Sequence, residues 1–219
     1  MDDPKRQPPA RWTLLWQWLK NPLRTAAVVP SSRELAAAML AELPPDARRI
    51  IELGGGTGAL TRALLAHGIR GDALLVLELN EELHAHLHAR FPAVRIEAGD
   101  ARDLPDIAAR TGFLDRGRAD AIISGLGLLS IPREAQAAIL QAAFACLRPG
   151  GRFIQFTYGP QPPVADEVAS RLGLAVRRGD FVLRNVPPAT VYVYTLGQGS
   201  LAQDRRAGGG GDETPSTPA

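Results

Sequence analysis

The residues best suited to chemistry in this 219-residue chain lie in a glycine-rich run that follows an apolar segment. Residues 50–58 read IIELGGGTG, so four glycines fall within five positions soon after Glu52. Glycines let the chain turn sharply and let a ligand contact the backbone, because no Cβ stands in the way. A pyrophosphate-binding loop would read G-x-G-x-x-G, whereas this one reads G-x-G-x-G beside a carboxylate. The pattern therefore favours a nucleotide-like ligand with a positively charged end.

Two further carboxylates follow the next two apolar segments. Glu78 ends the segment LLVLE, 20 residues after Gly58, and Asp100 stands in AGDA at 98–101. An acidic residue at the end of a second strand can accept hydrogen bonds from both hydroxyls of a ribose. A carboxylate at the end of a third strand can accept one from the exocyclic amine of an adenine. Because open sheets bind ligands at the carboxyl ends of their strands, the pattern predicts a nucleoside-like ligand there.

These side chains need a framework of alternating strands and helices, and the apolar pattern predicts one. Short runs rich in β-branched residues predict strands at 49–53, 73–77, 94–98, 119–124 and 152–157. Helical patterns occur at 59–67, 81–91, 133–147 and 164–172. Such alternation predicts an α/β fold, with a mostly parallel sheet and helices on both faces. Pro-Gly-Gly at 149–151 indicates a turn that ends the third helix, and the runs at 175–178 and 191–195 predict an antiparallel edge pair.

Composition and charge narrow the class of protein. Hydrophobic residues make up 45% of the chain and charged residues 22%, which excludes a mainly disordered, collagen-like or coiled-coil chain. No run of about 18 uncharged apolar residues predicts a membrane-spanning helix. The net charge of +2 is too small to indicate nucleic-acid binding, and the single cysteine, Cys146, favours the cytoplasm. We expect an N-terminal segment at 1–30, one domain at 31–197, and a disordered tail at 198–219.

The N-terminal segment combines basic charge with tryptophan. Residues 1–33 contain six Lys or Arg residues against two Asp residues, and all three tryptophans lie within 12–18. A helix over 11–20 would carry an apolar face bracketed by basic residues: Trp12, Leu15, Trp16 and Leu19, with Arg11 and Lys20. Such a helix suits an anionic membrane surface. A helix that packs its tryptophans on the core is the alternative, and one helix could both touch lipid and close over the site.

Together, ELGGGTG at 52–58, LELN at 77–80 and GDA at 99–101 resemble the class I methyltransferases that use S-adenosylmethionine (AdoMet) and release S-adenosylhomocysteine. The ammonium and sulfonium of AdoMet carry the positive charge that a carboxylate beside the loop favours. The resemblance implies a Rossmann-like, seven-stranded sheet whose last strand is antiparallel. It also implies cofactor-binding residues: Glu52, Gly54, Gly56 and Gly58 for the methionine part, Glu78 for the ribose, Asp100 for the adenine, and their neighbours Leu79 and Ala101.

Two families with such a loop differ in their methyl acceptor. The ribosomal RNA adenine dimethylases share ELGGGTGALT and GDA, but they carry an Asn-x-Pro-aromatic motif after the fourth strand that stacks the base. Here residues 123–130 read ISGLGLLS, which has no Asn, Pro or aromatic ring.

The chain resembles the soluble bacterial phospholipid N-methyltransferases more closely, over about residues 12–195. This resemblance is carried by KNP at 20–22, VPSSR at 29–33, SGLGLLS at 124–130, QFTYGP at 155–160 and RNVPPA at 184–189.

This second resemblance implies stepwise N-methylation of the phospholipid phosphatidylethanolamine toward phosphatidylcholine. It implies a peripheral enzyme on the inner face of the cytoplasmic membrane. The chain departs from the family at Gly55 and Gly127, where proline is usual; the second change loosens the loop over the acceptor. We expect no nucleic-acid partner. We also expect no metal site, because His84 and His88 lie on a helix outside the sheet without a recognisable third ligand. Neither oligomeric state nor the number of methyl groups transferred is predicted.

The reaction needs a polar group near the acceptor amine and a cation near the lipid phosphate. Tyr158 follows the fifth strand; its hydroxyl can accept a hydrogen bond from the amine, and its ring can hold a methylated ammonium by cation–π attraction. Ser124, at the end of the fourth strand, is the second polar candidate. Arg33 and Arg184 are the candidates for the phosphate, because arginine grips phosphate in a forked geometry. Each of the four also has a purely structural interpretation, and no general base is identified.

Three other hypotheses stay open. They are an RNA adenine methyltransferase, a small-molecule N-methyltransferase with the same cofactor, and a membrane-surface adaptor that keeps the cofactor loop without turnover.

Overall fold

The computed structural model describes residues 33–158, 161–185 and 187–197. The predicted membrane-binding residues Arg11 to Lys20 and the predicted tail at 198–219 lie outside the described residues. Within the described ranges, no helix is both long and apolar enough to cross a bilayer.

The described residues form seven strands and six α-helices. In chain order they are α1 (Arg33–Ala41), β1 (Ile50–Leu53), α2 (Ala59–Ala66), β2 (Leu74–Glu78), α3 (Glu81–Arg90), β3 (Arg95–Ala98), α4 (Leu104–Arg110), β4 (Ala119–Ser124), α5 (Arg133–Cys146), β5 (Leu147–Thr157), α6 (Asp166–Arg171), β6 (Leu174–Val182) and β7 (Ala189–Leu196).

The seven strands form one sheet in the order β3-β2-β1-β4-β5-β7-β6. Neighbours among β1 to β5 are parallel, whereas β7 is antiparallel to both β5 and β6. β6 therefore runs in the same direction as β5, and the carboxyl ends of β1 to β6 share one edge of the sheet, called the upper edge below. The predicted Rossmann-like α/β fold, with an antiparallel last strand, is confirmed.

The central strands are nearly continuous apolar runs because helices cover both faces of the sheet. Successive side chains of β1 alternate between the two faces. Ile51 and Leu53 belong to the core that includes α4 and α5, and Ile50 belongs to the core that includes α1 and α2. Buried apolar strands of this kind fix the register, and the register decides which residues reach the upper edge.

Helix α1 packs across β6 in the opposite direction. Just after its carboxyl-terminal end, Glu42 pairs with Arg177 near the start of β6. Near its start, Glu34 lines a cavity together with Leu183 and Arg184, which follow β6. The first residue of α1, where residues 1–32 join the described chain, is therefore at the upper edge.

Several predicted element boundaries are corrected. Strand β5 begins at Leu147 rather than at residue 152, since Leu147 pairs with Ala119 and Arg152 pairs with Ala121. The Pro-Gly-Gly sequence is thus an irregularity inside the strand, where a residue without an N–H and a glycine are both tolerated. The antiparallel pair is longer than predicted, and α1 and α4 were not predicted.

Candidate cofactor and acceptor site

The glycine-rich loop leaves β1 at the upper edge. Gly54, Gly56 and Gly58 have φ values of 75°, 55° and 79°, a left-handed conformation that residues with a side chain rarely adopt. Gly58 is also enclosed, since a Cβ there would lie 2.4 Å from Cε2 of Phe91. The N–H of Gly54 donates to the carbonyl of Leu77 at 2.8 Å. The loop is therefore held in a shape that only glycine permits, with its backbone close to any ligand at the edge.

Glu78 ends β2 and connects the loop to the next helix. Its Oε2 accepts a hydrogen bond from the N–H of Gly56 at 2.8 Å, and its Oε1 accepts one from the N–H of Asn80 at 2.9 Å. Asn80 in turn caps α3 by accepting a hydrogen bond from the N–H of Leu83. Because a carboxylate has about four acceptor sites, both oxygens keep capacity for the hydroxyls of a ribose.

A cavity of about 290 Å³ opens at the upper edge beside Glu78. Its lining comes from the ends of the first three strands, from the loop after β4 and from α5: Gly54, Leu77, Glu78, Leu79, Gly99, Asp100, Ala101, Arg102, Leu126, Ile131, Ala135 and Ile139. The structure thus brings together five of the predicted cofactor residues, namely Gly54, Glu78, Leu79, Asp100 and Ala101. The walls are mostly apolar with a few polar groups, as is usual for cofactor sites.

Asp100 is fixed by a residue that the sequence did not single out. The carboxylate accepts hydrogen bonds from the backbone N–H of Arg102 at 2.8 Å and from its Nε and Nη2 at 3.0 and 2.7 Å. These charge-assisted bonds lower the pKa of Asp100, so it stays ionised and able to accept. Arg102 also lines the cavity. Only the two-residue spacing of Asp100 and Arg102 could have indicated this pair.

Glu52 lies behind the loop and is not among the described residues that line the cavity. It is fully buried, and its Oε2 accepts a hydrogen bond from the hydroxyl of Thr61 at 2.7 Å. Its Oε1 has no hydrogen-bond partner among the described residues. Burial raises the pKa of Glu52 from 4.5 to about 8, opposed by Thr61 and reinforced by the charge of Glu78. A buried, unpartnered oxygen next to a backbone cradle fits a ligand with a cationic end.

Two side chains hold the loop that follows β4, which contributes Leu126 to the cavity wall. Ser124 is fully buried, and its Oγ accepts a hydrogen bond from the N–H of Leu126 at 3.3 Å. Gln155, its partner on β5, donates from Nε2 to the carbonyls of Leu126 and Phe156 at 2.9 and 2.8 Å. Oε1 of Gln155 is buried without a partner in the described part of the chain. Sequence reasoning missed Gln155, although a polar residue inside an apolar strand was the available signal.

Tyr158 follows β5 at the upper edge and is half-buried. Its ring packs edge-to-face on Phe156, with centroids 5.3 Å apart. Burial raises the pKa of Tyr158, and a side-chain hydrogen bond with Asn185 opposes that rise, so the hydroxyl stays protonated near neutral pH. Asn185 is buried, and its Nδ2 donates to the carbonyl of Pro187 at 2.7 Å. Tyr158 is thus linked to the turn between β6 and β7.

The two candidate arginines lie apart from the cofactor cavity. Arg33 begins α1 and Arg184 follows β6, and both side chains are exposed. Arg184 lines a second, open cavity of about 620 Å³, called the β6 groove below. The groove is formed by α1 and the end of β6: Glu34, Ala37, Ala38, Ala41, Asp180, Phe181, Val182, Leu183 and Arg184. Because Arg33 adjoins Glu34, both arginines are near this groove.

Comparison with known proteins agrees with this geometry. Residues 50–151 match a family model described as a methyltransferase domain. The chain is 32% identical over 185 residues to the ornithine lipid N-methyltransferase of Singulisphaera acidiphila, which covers 81% of this chain and 92% of that protein. It is 34% identical over 94 residues to a ribosomal RNA small subunit methyltransferase A of a Synechococcus species, covering 40% of this chain and 29% of that protein.

Among solved structures, a TehB-like SAM-dependent methyltransferase from Corynebacterium glutamicum shares the fold. The TM-score is 0.56 at 21% identity, over 86% of this chain and 100% of that one. The sheet order, the glycine loop and these similarities define a methyltransferase that uses AdoMet. The chain belongs to the class I AdoMet-dependent methyltransferases.

Proposed function

We propose that the chain transfers methyl groups from AdoMet to the amino nitrogen of a membrane lipid, phosphatidylethanolamine, stepwise toward phosphatidylcholine. The observation that carries the proposal is the similarity to a lipid N-methyltransferase, which extends over 92% of that relative's length. The choice of phosphatidylethanolamine rests on the resemblance to the soluble bacterial phospholipid N-methyltransferases. That resemblance includes the segments QFTYGP at 155–160 and RNVPPA at 184–189. We propose the inner face of the cytoplasmic membrane as the place of action.

RNA methylation is less well supported. The similarity to the ribosomal RNA methyltransferase covers 29% of that protein and 40% of this chain, a share small enough to reflect the cofactor-binding part alone. In the loop after β4, the backbone of Leu126 is held by Ser124 and Gln155. That loop carries no aromatic ring on which an extruded base could stack.

The chemistry is a displacement at carbon. AdoMet supplies a methyl group on a positively charged sulfur. The acceptor amine has an ordinary pKa of about 10, so it must lose a proton before its lone pair can attack. Because no described side chain is an evident base, we propose that the proton passes to water. The main task of the protein is then alignment of the two reactants, which can supply about 7–11 kcal/mol of the barrier.

We assign the acceptor-side roles from position. Tyr158 stands after β5, next to the β4 loop, where its hydroxyl can accept a hydrogen bond from the amine and its ring can attract a methylated ammonium. Ser124 acts through Leu126, by fixing the loop between the acceptor and the cofactor cavity. Arg184 and Arg33 would bind the lipid phosphate from the β6 groove, which is lined mainly by apolar side chains.

Methyl transfer to defined acceptors tests the proposal. The full chain is incubated with AdoMet labelled in its methyl group, together with vesicles of phosphatidylcholine alone or with added phosphatidylethanolamine or ornithine lipid, or with ribosomal RNA or ethanolamine. We expect label in phosphatidylethanolamine, with mono- and dimethylated products resolved by mass. Label in ornithine lipid alone would replace the proposed substrate by that of the relative. Label in RNA or free ethanolamine, or in no acceptor, would overturn a lipid function.

A further inference from the structure

The exposed large apolar side chains of the described residues are concentrated at the upper edge. Five such side chains are exposed: Leu79, Leu129, Val176, Phe181 and Leu183, by 69, 48, 42, 53 and 70%. Leu79 follows β2 and lines the cofactor cavity. Leu129 lies in the turn after β4, and Phe181 and Leu183 lie at the end of β6. Only Val176, near the start of β6, lies away from this edge.

The strand register places the end of β6 level with the end of β5. Thr157 pairs with Thr190 of β7, and Thr190 pairs with Phe181 of β6. The three residues form one row across the sheet, and Tyr158 is the next residue beyond that row on β5. Leu129 belongs to the loop after the neighbouring strand β4. The exposed apolar side chains therefore border the region where the acceptor must approach.

Single exposed apolar residues are ordinary in soluble proteins. Here, however, Leu183 stands between exposed Phe181 and the cation Arg184, in a turn anchored by the buried Asn185. A strand end and turn that expose phenylalanine and leucine beside an arginine are suited to a bilayer surface. The apolar side chains can enter the headgroup region while the guanidinium meets lipid phosphates.

The point where residues 1–32 join the described chain lies at the same edge. Glu42, just after α1, pairs with Arg177 in the first half of β6, whereas Glu34, near the start of α1, lines the β6 groove together with Leu183 and Arg184. Residues 1–32 therefore join the domain at the upper edge, and these include the tryptophan-rich segment with its surplus of basic residues. The exposed apolar side chains and the junction with residues 1–32 therefore lie at one edge of the domain.

We propose that Leu129, Phe181 and Leu183, called the apolar rim below, form a second membrane contact that sets the acceptor side of the upper edge against the bilayer. This inference rests on the proposed function, since a lipid acceptor must enter from the membrane. Glu34 and Asp180 also line the β6 groove and would oppose anionic lipid. The rim therefore contributes to membrane binding through its apolar side chains. This contribution depends only weakly on ionic strength, whereas that of the basic N-terminal segment depends on it strongly.

Vesicle binding by matched serine variants of the full chain tests the rim. The rim variant carries Phe181→Ser and Leu183→Ser. The control is Val176→Ser, because Val176 is exposed on the same strand, and its partner Tyr194 lies on the same face of β7 as Thr190, the partner of Phe181. Co-sedimentation with phosphatidylcholine vesicles containing phosphatidylglycerol gives the partition coefficient. We expect a loss of roughly tenfold in the rim variant and no change in the control, with S-adenosylhomocysteine binding equal in both.

Equal vesicle binding by the rim variant and the control would overturn the proposal. Tryptophan fluorescence tests the rival occupant, because all three tryptophans lie within residues 12–18. If the rim variant shifts tryptophan emission in vesicle-free buffer and the control does not, the groove houses the chain's own N-terminal segment, and the bilayer proposal is overturned. We expect unchanged emission.

Methyl transfer separates this inference from the proposed function. Label in vesicle lipid with equal rates for the rim variant and the control would leave the function standing and overturn the rim. Weakened vesicle binding by the rim variant, in a protein that transfers no label to lipid, would support the membrane contact while overturning the proposed function.

Discussion

Replacing Glu52 by glutamine is expected to remove a pH dependence from the stability of the fold. Glu52 is fully buried beneath the glycine loop, and burial raises its pKa to about 8. The folded state therefore favours the protonated acid more than the unfolded state does. The stabilisation from this group is fully present below the unfolded pKa of 4.5 and is lost as the pH rises toward and through about 8. Glutamine has no proton to lose, so its contribution is constant.

The size of the effect follows from the two pKa values. The difference between 4.5 and about 8 corresponds to about 5 kcal/mol in full, at about 1.4 kcal/mol for each pH unit. Between pH 5 and pH 8 the linkage relation gives a loss of about 3.5 kcal/mol.

Urea unfolding at pH 5, 6, 7 and 8 measures the free energy of unfolding of the wild-type chain and of Glu52→Gln. The effect is the difference between these two free energies, in which all other titrations cancel. Glu97→Gln is the control for loss of a carboxylate from a strand, because Glu97 lies on β3 and remains in contact with solvent. The pH dependence of the difference from wild type should be larger for Glu52→Gln than for this control, and equal pH dependence in the two variants would refute the argument from burial. If the ammonium of the ligand reaches Glu52, saturating S-adenosylhomocysteine should flatten the wild-type dependence.

Further substitutions test other parts of the site. Gly58→Ala should lower the melting temperature and abolish S-adenosylhomocysteine binding, since its φ is 79° and its Cβ would lie 2.4 Å from Phe91; calorimetry measures both. Asp100→Asn should weaken that binding by roughly tenfold to a hundredfold, the effect of a lost charge-assisted hydrogen bond; unchanged affinity would exclude Asp100 from adenine recognition. Tyr158→Phe should slow every methylation modestly, whereas Tyr158→Ala should slow the later ones most, because a methylated ammonium depends on the ring; equal slowing of all steps would contradict this. Deleting residues 1–20 should reduce vesicle binding sharply while S-adenosylhomocysteine binding is retained, and equal vesicle binding would remove the anchor.

The sequence predicted those parts of the fold that depend on local patterns. Strand β4 has its predicted bounds, because Arg118 precedes its buried run and Gly125 follows it. Helix α4 was missed, since seven residues span too few turns for a helical period to stand out. The start of β5 was misplaced, because Pro-Gly-Gly resembles a turn and only the pairing with β4 reveals an irregular strand. The bond from Arg102 to Asp100 depends on side-chain conformation, and that of Gln155 to Leu126 on strand register, which a single sequence does not display.

The position of Leu126 limits how the acceptor range of this enzyme could change. Its side chain forms part of the cavity wall and would lie 3.0 Å from a Cβ placed on Gly54, while Ser124 and Gln155 hold its backbone by hydrogen bonds. Remodelling of the β4 loop for a different acceptor would therefore also disturb the binding of the methyl donor. The described residues of the β6–β7 turn do not line the cofactor cavity. Natural or engineered changes of substrate should therefore accumulate in that turn.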